Sequence, residues 1–247
     1  LVQSGPHFRT RRSRMNILAI ECATEVLSVA LWSDARLRER VSSATREHGR
    51  HLLPTLDGLI AEAGLTRAQV DAIAFGQGPG AFTGVRMAVA AAQGLAYGLD
   101  KAAVPVSSLA ALAQEAFDRG AAPPILALLD ARMGELYVGR FEVGADGLVV
   151  ALGEEELCTP QALALPGDDI WCAAGPGWQA QRSVLSARFG ARLDALERSV
   201  YPQAGAVARL AQRALREGAA VRAHAAQPVY LRDKVAYTEA ERAAQRA

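Results

Sequence analysis

Apolar residues open the chain in short runs separated by polar links. Asn16–Ile20 is the first run, Glu21-Cys22-Ala23-Thr24-Glu25 interrupts it, and Val26–Trp32 resumes it. A third extended stretch follows near Arg36–Ser42. Three strands joined this way predict an antiparallel meander. The period then changes: Leu52, Leu53, Leu56, Leu59, Ile60 and Ala63 recur at helical spacing, which predicts a helix over 51–63. Proline fits only the first helical turn, so this helix should begin just before Pro54. Gly64 stands where a C-terminal cap belongs, and Thr66 with Gln69 reads as a capping box for one more turn.

Ala72–Phe75 is a brief buried-type strand that runs directly into Gly76-Gln77-Gly78-Pro79-Gly80-Ala81-Phe82-Thr83-Gly84. A helix should follow from about Thr83 to Leu95, built almost wholly of small residues: Ala88, Ala90, Ala91, Ala92 and Gly94. Val104–Val106 predicts another strand, and Ser107 or Ser108 caps a helix running to about Asp118. Gly120–Pro124 marks a lobe boundary. Beyond it, strands are expected at Ile125–Leu129, Leu136–Val143 and Ile170–Ala174, a turn at Gly144–Gly147 and a short helix from Thr159-Pro160. Further helices are expected at about Gln179–Phe189 and Pro202–Glu217, and Pro228–Arg232 should be extended. The chain divides into residues 1–14, a first lobe over 15–121, a second over 122–232 and a polar tail over 233–247. Both lobes open with strand, carboxylate-bearing turn, strand, the turns being Glu21–Glu25 and Asp130–Glu135. This repetition suggests an α/β fold of the two-lobed actin-like ATPase type (RNase H-like), an analogy that says little about activity.

Composition refines this picture. Of 247 residues, 51% are hydrophobic and 21% charged, the composition expected of a soluble globular chain with an alanine-heavy core, not a disordered one. No apolar run is long enough to cross a membrane as a helix. The net charge of +1 hides an asymmetry, because Arg9, Arg11, Arg12 and Arg14 precede Met15 without any acidic neighbour; setting these four aside leaves −3. The body thus lacks a basic footprint for nucleic acid. Residues 1–14 read as a segment upstream of a natural start at Met15, with an RNA-binding basic arm as the rival reading. The segment lacks the apolar core of a signal peptide, so a cytoplasmic location is expected. Cys22, Cys158 and Cys172 have no metal-type spacing and read as structural thiols.

Several constellations invite chemical readings. Strand, glycine-rich turn and helix N-terminus is the arrangement that cradles phosphate. Here no Lys-Ser or Lys-Thr follows the last glycine and the spacing is not G-x-G-x-x-G, so a tight turn feeding a closely packed helix is favoured. His48 and His51 are three residues apart, with His7 and His224 the other histidines; no Cys or carboxylate cluster supports a metal, and none is expected. Asp130 and Arg132 support two readings equally: an Arg that contacts phosphate or carboxylate with the Asp orienting it, or a turn cap beside a solvated side chain. Glu154-Glu155-Glu156 reads as a solvated charge run.

Five segments, in order, resemble one family. Gly78-Pro79-Gly80-Ala81-Phe82-Thr83-Gly84-Val85-Arg86 resembles the G-P-G-S-F-T-G-L-R signature of the TsaB family. Ile17–Thr24 resembles that family's I-L-x-I-D-T-S-T opening, and His48–Pro54 its H-S-x-x-L-L-P. Leu129–Tyr137 resembles its I-D-A-R-M-G-E-V-Y, and Tyr230-Leu231-Arg232 matches near the end. The resemblance implies an actin-like fold and a non-catalytic subunit of tRNA threonylcarbamoyladenosine (t6A) synthesis. Such a subunit would bind and activate a TsaD-like catalytic partner, work beside a TsaE-like ATPase subunit and also pair with itself. It would meet tRNA only through the complex. Pairing is implied through the two first-lobe helices, with Leu52, Leu53, Leu56, Phe82, Thr83, Val85, Arg86 and Met87 as contact residues.

Departures that bear on chemistry include the first turn, where Glu21 replaces Asp, Cys22 replaces Thr and Ala23 replaces Ser, Gly49, which replaces Ser, and Ala131 and Arg132, which stand where actin-like ATPases carry glycines beside the Asp. Glu21, Thr24, Gly78, Gly80, Asp130 and Arg132 are the residues that a degenerate phosphate or ligand cleft would retain. No cofactor is expected, ATP entering only at the level of the complex. The alternatives are an autonomous actin-like ATPase or phosphotransferase, which needs an intact phosphate cradle, and a metal-dependent hydrolase, which needs ligands that the sequence does not offer.

Overall fold

The computed structural model describes residues 15–43, 48–196 and 199–232. The upstream segment 1–14, with its basic-arm reading, and the tail 233–247 lie outside the described residues.

The predicted meander forms. β1 (Ile17–Glu21), β2 (Leu27–Ser33) and β3 (Arg36–Ser42) pair antiparallel in sequence, with Ile17 opposite Trp32 and Leu27 opposite Ser42. α1 spans His48–Glu62, one turn earlier than expected, so Pro54 lies inside the helix. Its ring removes one backbone donor, and the next residue, Thr55, donates its hydroxyl to the His51 carbonyl at 2.7 Å. Gly64 caps the end with φ +67°, its amide donating to Ala61 O at 2.9 Å. Gln69 Oε1 accepts from Thr66 N at 2.8 Å, as the capping box requires.

β4 (Ala72–Gly76) lies parallel to β1 and leads into α2 (Phe82–Leu99). β5 (Ala102–Val106) lies parallel to β4, and α3 (Ser108–Asp118) follows, with Ser107 as its cap, accepting from Ala110 N at 3.0 Å. The first sheet therefore runs β3-β2-β1-β4-β5.

The second sheet repeats this plan. β6 (Ile125–Arg132) and β7 (Glu135–Val143) pair antiparallel, and β8 (Val149–Ala151) and β9 (Glu156–Cys158) each pair antiparallel with β7, β8 at its end and β9 at its start. β10 (Trp171–Ala174) lies parallel to β6, α4 (Pro176–Phe189) follows it, and β11 (Leu193–Ala195) closes the edge. The order β8-β7-β6-β10-β11 matches the first sheet position for position. β8, β9 and β11 are too short to leave a periodic signal, which is why the sequence did not predict them. The helix expected from Thr159-Pro160 is only a turn, closed by Ala162 N and Leu163 N on Thr159 O. Pro228–Arg232 carries no ladder pairing and runs as an irregular strap.

The linear division at residue 121 does not describe the packing. α3 lies against β6, β7 and β8, whereas α5 (Ala204–Arg216) lies against β1, β2, β4 and β5. The two helices touch between the sheets and share one core, in which Leu109, Leu112, Val207 and Leu210 meet Ile17 and Ala19 from one sheet and Ile125 and Leu129 from the other. α1 and α2 cover the outer face of the first sheet, α4 that of the second. The start of α5 is fixed by the meander: Ser28 Oγ accepts from Ala204 N at 2.9 Å and Glu39 Oε1 from Gly205 N at 2.8 Å. A carboxylate at a helix N-terminus satisfies orphan amides and complements the dipole.

Candidate functional site

Because the lobes repeat the same plan, the turn between β1 and β2 faces the turn between β6 and β7. Between them lies a cleft of about 1120 Å³. Its first-lobe wall includes Thr24, Gly80 and Phe82–Met87, its second-lobe wall Asp130–Met133 and Pro176, and Val229, Tyr230 and Arg232 of the strap complete the lining.

The glycine-rich turn is filled by the protein's own backbone. A Cβ on Gly84 would collide with the carbonyl of Cys22, and one on Gly80 with the carbonyl of Ala23. Ala81 N donates to Ala23 O at 2.7 Å. The glycines let α2 sit directly on the first turn, as the tight-turn reading predicts. The second lobe repeats the device, since a Cβ at Gly175 or Gly177 would meet the backbone of Leu128.

Glu21 and Gly78 do not belong to the cleft. Glu21 is fully buried, its carboxylate accepting from Ala23 N at 2.6 Å and from Ser108 Oγ at 2.9 Å. Gly76 has no room for a Cβ because the carboxylate occupies that space. Burial outweighs these hydrogen bonds and pushes the Glu21 carboxyl up to about 7. The longer side chain in place of Asp reaches inward to α3, not outward to a ligand. Gly78 is buried beneath the strap, with Val229 N bonded to Gln77 O at 2.8 Å. Thr24, Gly80, Asp130 and Arg132 do line the cleft. Asp130 Oδ1 accepts from Arg132 N at 2.8 Å, and the two side chains pair at 3.3 Å with Arg132 largely exposed. Asp130 thus caps its turn as the bland reading holds, while the guanidinium stays accessible.

The expected contact residues fall into two sets. Leu52, Leu56 and Val85 are each only 2% exposed and pack in the first lobe's own core, so they cannot meet a partner. Helical periodicity could not make this separation, because the inward and outward stripes both carry apolar residues. Leu53 and Phe82 are about half exposed, Thr83 and Arg86 are exposed, and Met87 is half-buried beneath Gly49. On α2 the exposed positions Phe82, Arg86, Ala90, Gly94 and Gly98 follow one another down a single face. The Arg86 guanidinium lies 3.7 Å from the Phe82 ring centroid and donates through Nε to Tyr230 Oη at 2.7 Å.

Elsewhere, the acidic run is not simply solvated. Glu155 accepts from Ser107 Oγ, and burial pushes its carboxyl up to about 6; Glu156 pairs with Arg140 at 2.6 Å. Only Glu154 is exposed. Cys22 and Cys172 are buried free thiols, and Cys158 is a half-buried one. Among the described residues no group of three or more His, Cys, Asp and Glu side chains is placed to hold a metal ion, and no helix is long and apolar enough to cross a membrane.

Comparison with known proteins agrees with this architecture. The family model described as "TsaD: tRNA N6-adenosine threonylcarbamoyltransferase" matches residues 41–240. The tRNA threonylcarbamoyladenosine biosynthesis protein TsaB of Escherichia coli K12 is 36% identical over 233 residues, 90% of this chain and 97% of that protein. Its counterpart in Haemophilus influenzae is also 36% identical, over 90% of this chain and 96% of its own length. A crystal structure of a Pseudomonas aeruginosa protein described as similar to the peptidase YeaZ superposes with a TM-score of 0.82 at 39% identity, covering 88% of this chain and all of that one. With identity above a third along nine-tenths of its length and the same two-lobed fold, this chain belongs to the TsaB family.

Proposed function

We propose that this protein is a non-catalytic subunit of t6A synthesis, binding and activating a TsaD-like catalytic chain through the exposed face of α1 and α2. The observation that carries the reading is the division of α2. Its inward face is spent on the lobe core, and its outward face offers Phe82 and Arg86 followed by Ala90, Gly94 and Gly98, none of which hinders another helix. An aromatic and arginine anchor beside small residues suits a close helix-to-helix contact. The chain's own chemistry supports an accessory role, because its glycine turn is filled and Glu21 faces the core. On this reading a TsaE-like ATPase joins the assembly, a second copy of the chain uses the same face when the catalytic partner is absent, and tRNA and ATP are handled by the complex in the cytoplasm.

The test is co-elution with light scattering, using the full chain alone and mixed with the TsaD-family chain of the same organism. Leu53→Glu should abolish the heterodimer and leave the melting temperature unchanged, and Phe82→Glu, which also gives up the Arg86 and Tyr230 ring contacts, should abolish it while the chain stays folded. Val85→Glu is unsuitable, since a charge at this buried position unfolds the lobe. A heterodimer indifferent to both surface changes, or none at all, overturns the reading. The rival, an autonomous ATPase or phosphotransferase, requires a thermal shift with Mg-ATP that Arg132→Ala removes.

A further inference from the structure

We propose that the strap 226–232 is a clasp that couples the second lobe's cleft turn to the exposed face of α2. Its near end is tied to the first lobe at three points. Gln93 Nε2 donates to Ala226 O at 2.7 Å, Val229 N donates to Gln77 O at 2.8 Å, and Tyr230 Oη accepts from Arg86 Nε at 2.7 Å. Two residues later the strap reaches the opposite wall. Arg232 pairs with Glu135 at 2.5 Å, donates to Ala131 O at 3.0 Å and approaches Met133 Sδ at 3.5 Å.

All three Arg232 partners lie at the hairpin where β6 turns into β7: Ala131 near the end of β6, Met133 in the turn and Glu135 at the start of β7. There Arg132 and Met133, neither of them glycine, hold φ of +64° and +56°, as Asp34 and Ala35 hold +50° and +57° in the turn between β2 and β3. Left-handed backbone at side-chain-bearing residues persists only where surrounding contacts over-determine it. A guanidinium that grips the residues before, within and after the strained pair supplies such contacts. The ion pair is also sheltered, with side-chain exposures of 15% for Arg232 and 27% for Glu135, so solvent screens it less than a surface pair. Arg232 is thus a positioning residue: it shapes the cleft turn at one end and, through Tyr230, holds Arg86 against Phe82 at the other. This inference does not depend on the identity of any partner.

Hydrogen exchange by mass spectrometry on the full chain tests the clasp. Arg232→Ala should speed exchange severalfold in peptides covering 130–135 and also in those covering 82–90. The charge-swapped pair Arg232→Glu with Glu135→Arg should restore part of the protection in both, the part carried by the ion pair, since a carboxylate cannot donate to the Ala131 carbonyl. In a Tyr230→Phe background, which removes the Arg86 acceptor, Arg232→Ala should no longer alter 82–90. Should Arg232→Ala fail to fold, Arg232→Lys, which keeps the charge but loses the fork, gives the same readout at smaller amplitude. Faster exchange confined to 130–135 overturns the coupling, as does a swapped pair that leaves 82–90 as fast as the single variant.

Discussion

Ser108 of α3 donates its hydroxyl to Glu21 of β1 at 2.9 Å, across 87 residues of sequence and with both side chains fully buried. The bond turns the first-turn carboxylate away from the cleft and joins the first sheet to the helix that packs on the second. Burial raises this carboxyl from 4.5 to about 7, and burial raises Glu155 to about 6. In both cases the folded state holds the proton more tightly than the unfolded chain. The contribution of each is therefore fully present below pH 4.5 and is lost as pH rises through the folded value. Melting temperature should fall between about pH 5 and about pH 8, and Glu21→Gln should flatten much of that slope, up to roughly 3 kcal/mol. A slope unchanged by Glu21→Gln would show that Glu21 is ionised throughout.

Two glycines of α2 should respond in opposite directions. Gly84→Ala drives a methyl group into the Cys22 carbonyl and should cost more than about 2 kcal/mol. Gly98→Ala meets nothing within 4 Å and should stabilise the helix by about 0.5–1 kcal/mol. Urea denaturation of the two variants checks both signs.

Neighbouring turns of α1 should differ just as clearly. Leu56→Ala empties a buried position and should cost about 2–5 kcal/mol. Leu53→Ala, half exposed, should change stability by less than about 0.5 kcal/mol. Comparable losses in thermal melts would mean that Leu53 packs inside the lobe.

Ser107→Ala removes the cap of α3 and the hydroxyl that serves Glu155. It should cost about 1–2 kcal/mol and raise the Glu155 pKa further, because the lost bond favoured the ionised form. Carboxyl NMR titration reads the second effect, and an unshifted Glu155 would refute the pairing.

Much of the fold was legible in the linear pattern because it rests on local rules. Alternating apolar runs fixed β1 to β3, the 3.6-residue period located α1, Gly64 marked its end and Ser107 the start of α3. The tight-turn reading of Gly76–Gly84 was also accessible, since the spacing matched no nucleotide loop. Pro54 misled, because an interior proline costs one backbone bond and the helix still began a turn earlier. The candidate site was only half visible. Thr24, Gly80, Asp130 and Arg132 could be named, but nothing in the sequence reported that Glu21 points inward or that Tyr230 and Arg232 close the cleft.

The sequence by itself determined the repeated strand-turn-strand openings, the small-residue helix and the kinship of the chain, because each is written in neighbouring residues and their periodicity. Tertiary structure alone decided that α3 and α5 pack together between the sheets, which apolar stripe of α1 and α2 is spent on the core, and that the strap joins the two lobes. Those outcomes depend on contacts between residues tens to more than a hundred positions apart, such as Ser28 with Ala204 and Arg86 with Tyr230. Local pattern shows that a face is apolar; only the packed molecule shows what that face meets.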